Sequence, residues 1–203
     1  MKKEEKVYIK KVINHFIDFY KFDLSPYNKV YKIWFEKGLY SEIIIDFLRK
    51  VKIPANIRLI KKSTRTKEEP FCVGYINLNI KKPIFFLSKE FKERRFEICI
   101  DPTRYEQFET FICTLIHELS HLVLHSTFNE YRMSEVATDL FVMAFGLYEE
   151  AHYIALHKKD SKGYITSEQV EFAKSYISLK RGACTTTGFQ KIFNQVKLQL
   201  LRS

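Results

Sequence analysis

Residues 110–125, TFICTLIHELSHLVLH, set Phe111, Ile112, Leu115, Ile116, Leu119, Leu122, Val123 and Leu124 around three ionisable side chains, His117, Glu118 and His121. Apolar residues at this density belong in a core, and their period is helical. Because 3.6 residues complete a turn, histidines four apart lie one turn above each other, and both imidazoles can face one point. Buried imidazoles and carboxylates need partners, which a metal ion between the two rings supplies. The plain alternative is hydrogen bonding of all three within a core. By chance the pattern His-Glu-x-x-His arises in roughly 1 to 2% of chains of this composition, so the surrounding sequence has to decide.

A catalytic zinc site takes three protein ligands and keeps a fourth position for water. Glu135, in SEVATDLFVMAFGL, follows His121 by fourteen positions, enough for the rest of one helix, a turn through Thr127 to Tyr131, and entry into a second helix. Asp139 lies four residues further on the same helix face, suited to hydrogen-bond the free ring nitrogen of a metal-bound histidine. The competing role for Glu135 is a carboxylate at a helix N-terminus, favoured by the dipole. Glu130 is the rival ligand, but it falls in the turn and has no acidic partner four residues on. His125 extends the histidine row to about 12 Å along the axis from His117, too far to share an ion. His15, His152 and His157 have no metal-ligand spacing.

With such a site, Glu118 is the general base: it takes a proton from the attacking water and returns it to the leaving amine, while zinc polarises the scissile carbonyl. Tyr131, Tyr148 and Tyr153 are the candidate oxyanion donors.

Elsewhere the period switches twice. Residues 4–22 and 41–51 carry apolar residues at helical spacing, with Pro26, Gly38 and Pro54 as punctuation, so the first fifty residues read as two or three helices. From residue 56, NIRLIKK, CVGYINLNI, PIFFLS and FEICID read as four short strands in an antiparallel meander, and 63–70 as an exposed loop. After Asp101-Pro102, helices are predicted over 105–126, 132–157, 167–180 and 188–201, the third capped by Thr166 or Ser167. The chain is thus an α+β protein of one domain, residues 1–203. Its parts are a helical segment (1–53), a sheet with the metal-site helices (54–157) and a C-terminal helical segment (158–203).

The N-terminus mixes acidic and basic residues without an apolar core segment, so no secretory signal is expected, and no stretch reaches membrane-spanning length. Cys72, Cys99, Cys113 and Cys184 form no Cys-x-x-Cys pair, which argues against a zinc ribbon or a disulfide framework and for a cytoplasmic protein. The net charge of +10 sits in the first half: 24 basic against 13 acidic residues in 1–104, and 10 against 11 in 105–203. Such asymmetry suits nucleic acid or an acidic protein partner, or simply a Lys-rich solvated surface.

From FEICIDP through TFICTLIHELSHLVLH to SEVATDLFVMAFG the chain resembles the gluzincin zinc metallopeptidases, and within them the compact, minigluzincin-like ImmA/IrrE type. The resemblance implies a small antiparallel sheet packed on the His-Glu-x-x-His helix, a glutamate helix completing the metal site, and additional N- and C-terminal helices. It also implies a cytoplasmic endopeptidase that cuts a protein partner, often a DNA-binding transcriptional repressor. Ser120 stands where the family commonly has a small residue, often Gly, before the second histidine.

Three readings follow. The first is a zinc endopeptidase with an extended peptide pairing to a sheet edge beside the metal. The second is a catalytically silent binding module engaging DNA or an acidic protein through the basic half. The third is a hydrolase of a non-peptide amide, using the same ligands.

Overall fold

In the computed structural model, residues 1–20, 27–64, 74–78, 88–127, 129–131, 134–147 and 165–181 are described. Three helices come first, α1 (Lys3–Tyr20), α2 (Tyr27–Glu36) and α3 (Tyr40–Lys50). Strands β1 (Asn56–Lys61) and β2 (Gly74–Asn77), the short helix α4 (Lys89–Glu93) and strand β3 (Arg95–Ile100) follow. The chain then enters a 3-10 turn at Pro102–Glu106, the long helix α5 (Phe108–Thr127), a second 3-10 turn at Asn129–Tyr131, and α6 (Glu135–Ala144). A seventh helix, α7, covers 167–181.

Helix α5 is the axis of the molecule. It packs against β2, β3, α2 and α6, so apolar side chains are buried around most of its circumference. Phe111, Ile112, Leu115, Ile116, Leu119, Leu122, Val123 and Leu124 are all fully buried. Each such side chain contributes roughly 1.5–3 kcal/mol relative to exposure, which holds the polar residues between them in fixed positions.

The sheet is mixed, in the order β1-β3-β2. β3 runs parallel to β1, from Asn56 opposite Arg95 to Lys61 opposite Ile100, and antiparallel to β2, from Gly74 opposite Ile100 to Asn77 opposite Glu97. The antiparallel meander expected from the sequence is therefore corrected. Parallel pairing needs a crossover of a dozen residues or more, and residues 62–94 between β1 and β3 provide it once β2 and α4 are counted inside the crossover. The expected strand PIFFLS falls largely outside the described residues, and its last residue, Ser88, caps α4 by accepting from the Phe91 amide at 3.2 Å. Central β3 reads as a buried run, with Phe96, Ile98 and Ile100 inaccessible to solvent.

Caps explain several element ends. After α6, Gly146 adopts φ +105°, and the Gly146 and Leu147 amides donate back to the Met143 and Val142 carbonyls. This Schellman closure needs a positive φ and stops the helix there. The helix expected over 132–157 therefore ends at Ala144, and 148–164 lie outside the described residues. Lys52, at φ 55°, closes α3 the same way, its amide and that of Ile53 donating to Arg49 and Leu48. Thr166 and Gln169 form a reciprocal capping box at the start of α7. The helix expected over 188–201 lies outside the described residues.

Asp46 is buried between α2 and α3, accepting from the Tyr31 hydroxyl at 2.8 Å and pairing with Arg49 and Lys50. Burial pulls the Lys50 amine down to about 8. Among the described residues, no helix is long and apolar enough to cross a membrane.

Candidate metal centre

Two adjoining helices build the site. His117 and His121 project from one face of α5, and Glu135 is the first residue of α6, behind Ser134, whose hydroxyl caps the helix by accepting from the Ala137 amide at 3.2 Å. The ligating atoms of these three residues all lie within 4.8 Å of one another, and among the described residues they are the group that can hold a metal ion. His117 Nε2 and His121 Nε2 are 3.2 Å apart, and Glu135 Oε2 is 3.2 Å from the first and 3.3 Å from the second. Three donors converging without a cation between them would repel unless protons intervene, and the donor set of two imidazoles and one carboxylate fits a divalent metal such as zinc.

Behind His117, Asp139 accepts from the Nδ1–H at 2.9 Å. That bond commits Nδ1 as a donor and points Nε2 at the shared centre. Burial pulls the imidazole pKa down, but the hydrogen bonds and charges of Asp139 and Glu135 outweigh it and carry His117 up to about 10. Burial likewise raises Glu135, yet the two histidines bring it down to about 2. The site thus carries an imidazolium in the position where a metal cation would supply the charge.

Glu118 is buried on the side of α5 that faces β2. Burial pushes its carboxyl upward, His117 and His121 pull it back, Glu135 pushes it up again, and the Ile76 amide of β2 donates a hydrogen bond that favours the ionised form. Gly74 permits this approach: a Cβ there would sit 2.7 Å from Thr114 Cγ2 and 3.1 Å from Glu118 Oε1. Ser120 is fully buried and turns its hydroxyl onto the Ile116 carbonyl within the helix, so the residue satisfies itself without entering the site.

The rival ligands are elsewhere. Glu130 pairs with Lys11 at 3.4 Å and His15 at 3.5 Å, both on α1, and neither Glu130 nor His125 belongs to the metal-holding group. His152, His157, Tyr148 and Tyr153 lie outside the described residues. Tyr131 is buried against α1, its ring 5.6 Å from His15 and 6.0 Å from Phe16. Helix α1 also reaches the glutamate helix directly: the Tyr8 hydroxyl is 2.9 Å from Ser134 Oγ, and Phe16 packs 4.9 Å from Phe141.

Exposed lysines of α1, and Lys180 of α7, lie over aromatic rings of α7. Lys6 and Lys10 lie 5.7 and 5.8 Å from the Phe172 ring of α7, and Lys10 and Lys180 lie 5.4 and 6.0 Å from Tyr176. A cation over a ring face is attracted by the ring quadrupole at modest energy and keeps its charge.

Sequence reasoning missed two contributors. Thr138, on the same face of α6 as Glu135 and Asp139, approaches His121 Nδ1 at 3.4 Å; the three-residue helical step from Glu135 was the available signal. Gly74 was missed because a glycine in a strand announces a close approach without naming the partner. No family model matches the chain, and comparison with curated proteins and with solved structures finds no match either.

Proposed function

We propose that the chain is a zinc-dependent endopeptidase of the gluzincin kind, with His117, His121 and Glu135 as metal ligands and Glu118 as general base. The observation that carries this reading is the convergence of the three ligand atoms within 4.8 Å, with a buried carboxylate, Glu118, on the adjacent residue of the same helix. Two histidines and a glutamate are a known donor set of catalytic zinc, which leaves one position for water.

Zinc bound there supplies Lewis-acid polarisation of a carbonyl and acidifies water. The chain's own groups do the rest. Asp139 keeps the His117 ring oriented and basic through Nδ1. Glu118 accepts the proton of the attacking water and delivers it to the departing amine nitrogen; a buried carboxylate with a raised pKa is suited to hold that proton between the two transfers. The Ile76 amide donates to this carboxylate and so helps orient it. Among the described strands β2 lies at an edge of the sheet, beside Glu118, so an extended peptide added along that edge would run past the base.

The substrate in this reading is a cytoplasmic protein partner, and the sequence resemblance suggests a DNA-binding repressor. The test is reconstitution of chelator-treated protein with zinc, for wild type, His117→Ala, Glu135→Ala and Glu118→Gln. One zinc in wild type and Glu118→Gln but none in the two ligand variants, with a protein substrate cleaved by wild type alone, supports the proposal. Wild type that binds no zinc, or Glu118→Gln that retains full cleavage, overturns it.

A further inference from the structure

His121 presents a problem that His117 does not. An imidazole binds a metal through one nitrogen only if the proton resides on the other, and His117 has a carboxylate, Asp139, to keep it there. His121 Nδ1 has instead the hydroxyl of Thr138, at 3.4 Å. A hydroxyl both donates and accepts, so by itself it leaves the tautomer undecided.

The backbone of α6 decides it. Thr138 Oγ1 lies 3.0 Å from the carbonyl of Ser134, one turn earlier, closer than it lies to His121. A threonine hydroxyl carries a single hydrogen, and a helix carbonyl at the preceding turn is its ordinary acceptor. With that hydrogen committed to Ser134, the oxygen has only lone pairs to offer the ring, and His121 Nδ1 must be the donor. The order of donation is His121 Nδ1–H to Thr138 Oγ1, then Thr138 Oγ1–H to the Ser134 carbonyl. Nε2 is left unprotonated, facing His117 and Glu135. Thr138 is completely buried, so water does not compete for either bond.

We infer that Thr138 is a positioning residue for the metal site, fixing the tautomer and orientation of His121; this rests on the proposed metal-binding role of His117, His121 and Glu135. A single turn of α6 then serves both histidines. Glu135 is the third ligand, Thr138 orients one ring and Asp139 the other.

Valine has the shape of threonine without the hydroxyl, and serine keeps the hydroxyl without the methyl group. Zinc affinity, measured by competition with a chromophoric chelator, should fall about tenfold or more in Thr138→Val and stay within about twofold of wild type in Thr138→Ser. The unfolding midpoint of the zinc-free protein should fall in Thr138→Val, since the His121 ring loses a buried partner, and recover in Thr138→Ser together with the zinc affinity. A purely structural residue would lower the midpoint as well but leave the zinc affinity unchanged, so the affinity separates the two. Nitrogen-15 NMR of the His121 ring in zinc-free wild type should show the Nδ1–H form. An Nε2–H form, or Thr138→Val binding zinc as wild type does, overturns the inference and leaves the metal site standing. Wild type that binds no zinc removes both.

Discussion

Asp139 Oδ1 sits 2.9 Å from His117 Nδ1, on the side of the ring away from the shared centre. Although 22 residues apart, the two are brought together because α5 and α6 pack directly on each other. Removing the carboxylate leaves the ring free to rotate and less basic. Asp139→Ala should weaken zinc binding by about 10- to 100-fold while the protein still folds, since Asp139 retains some solvent exposure; chelator competition and a thermal melt measure the two effects. Equal zinc affinity would show that the ring is held by packing alone.

The proton at this site competes with metal. His117 holds it up to about 10 because Asp139 and Glu135 outweigh burial, and a metal takes Nε2 only after it leaves. Zinc added near neutral pH should therefore release close to one proton from His117, and affinity should rise about tenfold per pH unit for that proton up to about pH 10. Glu135, held near 2, is already ionised there. Calorimetry in buffers of differing ionisation enthalpy counts the proton. Without metal the linkage has a definite sign: the His117 contribution to stability is full below its ordinary 6.5 and lost as pH rises through about 10, and that of Glu135 is full above 4.5 and lost as pH falls through about 2.

A methyl group at position 74 has nowhere to go. The Cβ of Gly74→Ala would meet Thr114 Cγ2 at 2.7 Å, so either β2 or α5 must yield. We expect a loss of about 1–3 kcal/mol in urea unfolding, and partial recovery in the double variant with Thr114→Ser, which deletes the obstructing methyl but keeps the hydroxyl that bonds the Thr110 carbonyl at 2.8 Å. No recovery would mean that the approach to Glu118 Oε1, at 3.1 Å, is the tighter constraint.

Lys52 occupies a left-handed conformation that a side chain disfavours, and it is exposed. Lys52→Gly should raise stability by about 0.5–1 kcal/mol, visible as a higher unfolding midpoint with an unchanged slope. A decrease would show that the lysine stem contributes packing that its exposure conceals.

The local features of this molecule were legible in the sequence and the long-range ones were not. The apolar run around His117 and His121 determines a helix because its period is written in adjacent residues, and Glu135 and Asp139 followed from one helical step. The limits of α1, α3 and α7 fell within a few residues of expectation for the same reason. The order of the strands is different. Whether β3 pairs with β1 in parallel or β2 returns as a hairpin depends on which edges meet after 62–94 have folded, and no single segment carries that information. Thr138 escaped notice because threonine on a buried helix face usually serves packing; only its partner His121 gives it another role. The early stop of α6 was the one local signal underused, since Gly146 follows an unbroken apolar series that reads as continuing helix.

The parallel pairing of β1 with β3 sets an order in time. Residues 117–135 hold all three ligating side chains on one helical hairpin, whose contacts are close in sequence and form early. β1 and β3 must instead close a loop over 62–94, and contacts of that separation form late. β2, which lies between them in the chain and carries the amide that bonds Glu118, pairs with β3 alone, and so has a shorter loop to close than β1 has. On the proposed reading, a refolding chain would be expected to gather the three candidate metal ligands before the strand that orients Glu118 is in place, because the first contacts span less of the chain than the second.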